Sequence, residues 1–198
     1  MPLVTTAIDT HPQVRVLADV VPGGLVRDAG LVLGGAAVMG ALAQIAIPLG
    51  FTPIPLSLGT LTALLVGSAL GPLRGVLSVG LYLLAGVAGV PWFAENGSGW
   101  QFASFGYIIG FVLAAGLVGA LARRGTDRRV GSTIGAMVLG NLAIYAIGVP
   151  WLMSFAGVGF TQALALGVTP FLLGDALKIA IAAGVLPSAW KLVDRVER

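Results

Sequence analysis

The segment from Phe171 to Leu186, FLLGDALKIAIAAGVL, is an apolar run that carries two opposite charges three residues apart, Asp175 and Lys178. A charged side chain at the centre of a bilayer costs roughly 2.5–3.5 kcal/mol on insertion scales. An ion pair at this helical spacing recovers only about 0.2–0.5 kcal/mol. Pairing therefore does not repay burial against lipid, so both side chains must face the interior of a helix bundle or a water-filled cavity.

Two interpretations of this pair stay open on these residues alone. In the first, Asp175 and Lys178 form a structural ion pair that locks their helix to its neighbours. In the second, they are an acceptor and a donor at the bottom of an outward-facing ligand cavity. We favour the ligand site, because the loops predicted on the same side of the membrane resemble a lid.

The elements that position the pair follow from the composition. The chain has 198 residues, of which 57% are hydrophobic and 10% are charged. Soluble domains carry about 25% charged residues, so this chain cannot cover a globule with polar side chains. The apolar runs between Gly and Pro predict an all-α membrane protein with six transmembrane helices, at about residues 30–49, 55–70, 73–90, 103–122, 130–149 and 170–190. The six helices form one domain, 30–193, between cytoplasmic tails 1–29 and 194–198, and residues 1–13 are expected to be mobile. The stretch 160–167 predicts a further short helix on the outer surface.

The basic residues predict the orientation of these helices. With six spans, every lysine and arginine except Lys178 lies on the side that carries both termini, and the three opposite loops contain none. That side is the cytoplasm by the positive-inside rule. Span six then runs inward, with Thr169 as its cap and Pro170 in its first turn. Asp175 and Lys178 would lie about 8 Å and 12 Å below its start.

The sequence Gly-Val-Pro-Trp occurs twice, at residues 89–92 and 148–151, at the outer ends of two predicted spans. We expect proline to end each helix and tryptophan to lie at the membrane interface. Interface anchoring alone explains the repeat. The alternative is that Trp92, Phe93 and Trp151 converge above the charged pair as the walls of a small-molecule pocket.

Two further features belong to the same predicted pocket. Tyr145, about two turns below Trp151, would add a wall and a hydroxyl group. In the loop AENGSGW, residues 94–100, Asn96 and Gly97 form a dipeptide that is typical of a turn. The alternative is that Asn96 hydrogen-bonds a polar ligand while Gly97 lets the backbone approach it.

Small residues line the first predicted span, where Gly34, Ala37 and Ala41 lie near one face. Such a face lets another helix approach closely. The approaching helix belongs either to the same bundle or to a partner protein, and both readings stay open.

Several function classes are excluded or disfavoured. The chain has no cysteine, and its single histidine, His11, lies in the polar N-terminal tail. It contains no GxxxxGK[ST] phosphate loop, no HExxH and no carboxylate cluster, so we expect neither an enzyme nor a cofactor or metal site. We interpret the net charge of +3 as a consequence of the basic residues in the loops on one side of the membrane, and not as a sign of nucleic-acid binding. The first 13 residues lack the pattern of a cleavable signal.

Four motifs together resemble the BioY family, the biotin-specific substrate-binding (S) components of energy-coupling factor (ECF) transporters: LGPLRG, LYLLAGVAGVPWFA, GYIIGF and TPFLLGDALK. The resemblance covers about residues 30–193. Many members have glutamine where this chain has Gly59, so no ligand role is transferred to that position.

The resemblance implies an outer substrate site closed by the loop after the third span. It implies biotin as the ligand, bound by Asp175, Lys178 and Asn96, in the cell membrane of a prokaryote. It also implies a transmembrane coupling subunit (EcfT- or BioN-like) docked at Ala37 and Ala41 and driven by ATPase subunits (EcfA- or BioM-like). A subunit for another vitamin and a stand-alone biotin facilitator are the alternatives.

The chemistry of biotin agrees with these residues. Its ureido ring offers two N–H donors and a carbonyl, so Asp175 can accept from an N–H and Asn96 can donate to the carbonyl. Lys178 would either pair with the ligand carboxylate or steady Asp175.

Overall fold

The computed structural model describes residues 15–196, so His11 lies outside the described residues. These residues form six α-helices and one pair of two-residue strands: α1 (Leu25–Ala43), β1 (Ala46–Ile47), β2 (Leu56–Ser57), α2 (Gly59–Val87), α3 (Phe105–Ala122), α4 (Val130–Ala156), α5 (Phe160–Gly167) and α6 (Leu172–Val196). The short helix predicted at 160–167 is confirmed as α5.

Five helical stretches within residues 15–196 are long and apolar enough to cross a membrane. They are Leu25–Ala43, Gly59–Val87, Phe105–Ala122, Val130–Ala156 and Phe160–Val196. The prediction of a helical integral membrane protein is therefore confirmed. The number differs from the predicted six because the second and third predicted spans lie together within one helix, α2.

Helix α2 is not straight. At Gly71 the backbone has φ 82° and ψ 177°, a conformation that favours glycine, and Pro72 follows. A methyl group on Gly75 would lie 2.9 Å from the Cα of Gly67. Residues eight apart on a straight helix are about 12 Å apart along its axis, so the two halves of α2, 59–70 and 72–87, fold back on each other.

Helix α3 packs against this reversal through glycine. A methyl group on Gly119 would lie 2.6 Å from the carbonyl carbon of Gly71 and from the nitrogen of Pro72. A methyl group on Gly67 would lie 2.5 Å from the carbonyl oxygen of Ala115. Glycine at these positions lets backbones touch directly, which is the close packing that membrane helices use in place of large apolar side chains.

The prediction that proline ends both helices is wrong for one of them. The first Gly-Val-Pro-Trp follows the end of α2, whereas the second lies inside α4, with Pro150 in the helix. Helix α4 ends later, at Ala156. Gly157 caps it in a left-handed conformation, with a φ of 65° and an N–H bond to the Met153 carbonyl. Proline removes one helical hydrogen bond, and the packed α4 tolerates that loss.

The expected cap of the last helix is also wrong. Residues Thr169–Phe171 form a 3₁₀ turn without a side-chain cap, and the Thr169 hydroxyl instead donates to the Leu164 carbonyl at 3.2 Å. Thr169 therefore ties the turn back to α5. Pro170 occupies the first turn, as expected.

Residues 44–58 depart from the predicted helices. Span one was expected to reach residue 49 and span two to begin at 55, but the segment forms the antiparallel pair β1–β2 and irregular backbone. Pro48, Pro53 and Pro55 lie in it, and proline carries no N–H to donate.

The chain before α1 packs onto the bundle. Val16 is fully buried and lies against Gly71, and Leu17–Val20 form a 3₁₀ turn. Asp19 in this turn accepts a hydrogen bond from Arg74. Burial acts to raise the pKa of Asp19, but the hydrogen bond and charge of Arg74 lower that pKa overall. Within the segment predicted as the 1–29 tail, residues 16–20 therefore pack onto the bundle and α1 begins at Leu25.

Candidate functional site

A cavity of about 400 Å³ lies between the helices. Its walls come from α2, α3, α4 and α6, from the extended segment 44–58 and from the loop between α2 and α3. Small-molecule pockets in proteins span about 300–1,000 Å³ and combine apolar walls with a few polar groups. The cavity meets both conditions.

The charged pair faces this cavity. Lys178 Nζ lies 3.5 Å from Asp175 Oδ1, and the two residues are 7% and 6% exposed. The second carboxylate oxygen, Oδ2, accepts a hydrogen bond from the Tyr145 hydroxyl on α4. The expectation that both charges avoid lipid is confirmed, and the cavity also brings in the predicted residues Tyr145 and Gly97.

The three predicted aromatic rim residues do not line the cavity. They stand one layer behind it and hold its wall in place. Trp92 donates from Nε1 to the Tyr82 carbonyl at 2.8 Å, and Trp151 donates to the Phe102 carbonyl at 3.0 Å. Phe93 is 1% exposed and packs edge-on against Tyr82. Tyr82 and Phe102 are the residues that these three present to the cavity.

Sequence reasoning missed most of the aromatic lining. The cavity is lined by Tyr82, Phe102, Tyr107, Phe111 and Phe171. The Tyr107 hydroxyl donates to the Gly167 carbonyl at 3.0 Å and so ties α3 to the end of α5. Aromatic residues in an apolar span carry no signal of whether they face a ligand or a neighbouring helix, so the sequence could not select these five.

Asn96 lies in the loop over the cavity but its side chain is not among the lining groups. Its backbone N–H donates to Gln44 Oε1 at 3.2 Å, and Gln44 Nε2 donates to the Phe93 carbonyl at 2.9 Å. Glu95 and Asn96 both have positive φ, 59° and 58°. The Asn-Gly turn predicted here is thus present, pinned to the end of α1 by Gln44.

The predicted docking residues lie on the outside of the bundle. Ala37 and Ala41 on α1 are exposed, whereas Ala36 and Gly40 on the neighbouring face are buried. A methyl group on Gly40 would lie 2.7 Å from Trp92 Cε3. The internal packing face and the open face of α1 are therefore distinct.

A buried amide, Asn141 on α4, was also missed. It is 6% exposed and lines the cavity. The available signal was a lone asparagine in an apolar span, one helical turn before Tyr145.

A protein family matches nearly the whole region just described. A model of the BioY family matches residues 10–195. The chain belongs to the BioY family. The resemblance inferred from the four sequence motifs is therefore confirmed.

Relatives in this BioY family include the probable biotin transporter BioY of Pyrococcus horikoshii, which is 39% identical over 143 residues, covering 71% of this chain and 82% of the relative. The biotin transporter BioY of Rhizobium etli is 33% identical over 147 residues, covering 69% and 78%. That of Thermotoga maritima is 35% identical over 159 residues, covering 79% and 90%.

The fold is similar to the crystal structure of the S-component for biotin from an ECF-type ABC transporter. The TM-score is 0.75 at 24% sequence identity, and the match covers 84% of this chain and 92% of that one. This likeness establishes the fold of the BioY chain. Gly59 lines the cavity here, and a methyl group on it would lie 3.1 Å from Phe111 Cε2.

Proposed function

We propose that this chain is the biotin-binding membrane subunit of an ECF-type vitamin transporter and not an enzyme. It captures biotin from outside the cell and delivers it inward together with a transmembrane coupling subunit and ATPase subunits. The observation that carries the proposal is the buried Asp175–Lys178 pair, held by Tyr145, on the wall of a cavity that also has aromatic and aliphatic side chains in its lining.

The chemistry of the cavity suits a small, largely apolar ligand with a polar ring. Asp175 offers carboxylate oxygens to N–H donors, and charge-assisted hydrogen bonds of this kind are stronger than neutral ones. Lys178 offers donors to a carbonyl or a carboxylate. The faces of Tyr82, Phe102 and Phe111 provide apolar area for a fused ring and an alkyl chain.

We further propose six membrane crossings with both termini in the cytoplasm of a prokaryotic cell. The reversal at Gly71 supports two crossings within α2. Ion pairs tie Arg74, at this reversal, to Asp19 and Asp28 before and within α1. Arg128, in the turn between α3 and α4, stacks 4.2 Å over Trp190 near the end of α6. The basic residues thus gather at one end of the bundle, as the positive-inside rule requires of a cytoplasmic face.

For the coupling subunit we propose the exposed face of α1 that carries Ala37 and Ala41. The side chains there are small and exposed, so another helix can approach the backbone.

Calorimetric titration of the purified protein with biotin, riboflavin and thiamine tests the ligand. We expect tight, stoichiometric binding of biotin, with loss of binding in Asp175→Ala and Lys178→Ala. Asp194→Ala and Lys191→Ala are matched controls, since both residues are exposed on the same helix. Preference for another vitamin would reassign the ligand, and undiminished binding in the two cavity variants would reject the site. Uptake by the chain alone in liposomes would identify a stand-alone facilitator.

A further inference from the structure

The side chain of Asn141 makes no hydrogen bond with any residue that the structure describes. The residue is 6% exposed, and its Oδ1 is buried without a partner. It lies on the cavity wall, on the same helix as Tyr145 and four residues before it. The amide oxygen is therefore buried and unpaired on the cavity wall.

Such an arrangement costs free energy. A buried polar group without a hydrogen bond has lost its bonds to water and gained nothing in return, and native proteins pair nearly all such groups. The other buried polar side chains on the cavity wall within residues 15–196 are Asp175 and Lys178, and both are paired. Asn141 thus differs from its neighbours in the site, and a ligand bound in the cavity can pair it.

The position of Asn141 relative to the charged pair follows from helix geometry. Tyr145 on α4 contacts Asp175 on α6. Moving from Tyr145 to Asn141 is a step of about 6 Å along α4. Moving from Asp175 to Lys178 is a step of about 4.5 Å along α6. Under the proposed topology α4 and α6 run in opposite directions across the membrane, so both steps lead the same way, deeper into the cavity. The amide and the ammonium therefore belong to the same level of the site.

We propose that Asn141 is a specificity-determining residue that pairs with a ligand edge carrying both an N–H donor and a carbonyl acceptor. This inference rests on the proposed function, because the ureido ring of biotin presents such an edge. An asparagine amide offers one acceptor and two donors, so it satisfies both atoms of a ureido edge and has both of its own atoms satisfied. A carboxylate has no donor and would leave the amide oxygen unpaired.

The test compares the binding of biotin with the stability of the ligand-free protein. Asn141→Leu keeps a similar volume and removes the unpaired amide. We expect the melting temperature without ligand to stay equal or rise, while the dissociation constant for biotin rises at least tenfold. Met137→Leu, one turn away and buried outside the cavity lining, is the control and should leave the affinity unchanged.

Biotin analogues locate the contact. Desthiobiotin keeps the ureido ring, so Asn141→Leu should weaken its binding by the same factor as for biotin. In 2-iminobiotin the ureido carbonyl is replaced, so the same substitution should cost clearly less. Equal losses for all three ligands would overturn the ureido pairing.

Two further outcomes would also overturn the inference. Unchanged affinity for biotin in Asn141→Leu would show that the amide does not touch the ligand. A lower melting temperature without ligand, together with weaker binding, would assign Asn141 to packing. Failure of the unmodified protein to bind biotin would instead reject the proposed function itself, so the two failures are distinguishable.

Discussion

The hydroxyl of Tyr145 on α4 donates a hydrogen bond to Oδ2 of Asp175 on α6, while Lys178 lies 3.5 Å from the other carboxylate oxygen. Asp175 is thereby fixed from two sides and by two helices. A carboxylate that is already oriented loses little conformational entropy when a ligand binds. Its hydrogen bond therefore contributes more to the free energy of binding.

Tyr145→Phe removes this orientation but keeps the ring in the wall. A hydrogen bond to a charged group contributes about 1.5–3 kcal/mol. We expect the affinity for biotin to fall about tenfold or more, measured by calorimetric titration. Tyr82→Phe is the matched control, because the Tyr82 ring lines the same cavity and its carbonyl, not its hydroxyl, accepts from Trp92. Equal affinity in Tyr145→Phe and the unmodified protein would contradict this role.

The charged pair should behave differently under single and double replacement. Lys178→Met leaves Asp175 as an uncompensated buried charge, and breaking a buried pair in this way costs about 3–5 kcal/mol. We expect a marked fall in the melting temperature of the ligand-free protein. The double variant Asp175→Asn with Lys178→Met removes both charges and should recover most of that stability.

Binding should not recover with stability. If the pair serves the ligand, the double variant melts near the unmodified protein yet binds biotin far more weakly. A double variant that regains both properties would show that Asp175 and Lys178 are a structural lock only.

Bulky residues on the open face of α1 should separate binding from transport. We expect Ala37→Leu and Ala41→Leu to lower biotin uptake in cells that also express the coupling and ATPase subunits, since they block close approach of a helix. Biotin binding by the purified variants should be unchanged. Gly40→Ala tests the neighbouring, buried face, where the added methyl meets Trp92, and should lower the melting temperature. Loss of biotin binding in Ala37→Leu or Ala41→Leu would mean that the open face of α1 belongs to the binding site.

The contact between α3 and the reversal in α2 should tolerate no extra atom. A methyl group on Gly119 meets only backbone atoms at 2.6–2.8 Å, and backbone cannot rotate away. Overpacking typically costs about 1–3 kcal/mol, so Gly119→Ala should lower the melting temperature by several degrees. Gly135→Ala is the control, because nothing lies within 4 Å of its added methyl. Equal melting temperatures for the two variants would refute this packing.

The thermal stability of the protein should depend on pH through Asp127, which lies in the turn between α3 and α4. Burial raises the pKa of its carboxyl above the usual value, although Trp190 and Arg128 act against this. A carboxyl with a raised pKa in the folded state favours folding when it is protonated, and this contribution is lost as the pH rises from the ordinary pKa through the raised one.

The melting temperature should therefore gain from Asp127 as the pH falls below 7 toward the ordinary carboxyl range. Asp127→Asn imitates the neutral form, and its amide oxygen can still accept from Trp190, which now donates to Oδ2 at 2.7 Å. We expect a higher melting temperature at pH 7 and a flatter pH profile. The exposed Asp194→Asn should change neither, and a lower melting temperature for Asp127→Asn at pH 7 would contradict the prediction.

Features that follow from the cost of exposing charged side chains to lipid were predictable from the sequence. Asp175 and Lys178 had to avoid lipid, so their place on an interior cavity was predictable from two residues. The break between the second and third predicted spans was predictable at Gly71 and Pro72, where neither residue suits a helix interior.

Features that depend on side-chain direction were not predictable. Trp92 and Trp151 suit a membrane interface, a pocket wall and a supporting layer equally well by residue type, and only packing against Gly40 and Gly106 selects the last. Asn141 was missed because one amide in an apolar span has no partner at a diagnostic spacing. The end of α4 was misplaced because Pro150 marks a stop only where the surrounding contacts do not hold the helix.

The reversal at Gly71 also bears on how the chain enters the bilayer. The half of α2 before it, residues 59–70, covers about 18 Å as a helix, well short of the roughly 30 Å hydrocarbon core. The irregular segment before it, residues 44–58, has backbone N–H and C=O groups that cannot hydrogen-bond to lipid. This half is therefore a poor substrate for insertion by itself, and we expect the translocon to release it only as a hairpin with residues 72–87. Gly71 at the tip, with its φ of 82°, is the residue that lets this hairpin turn.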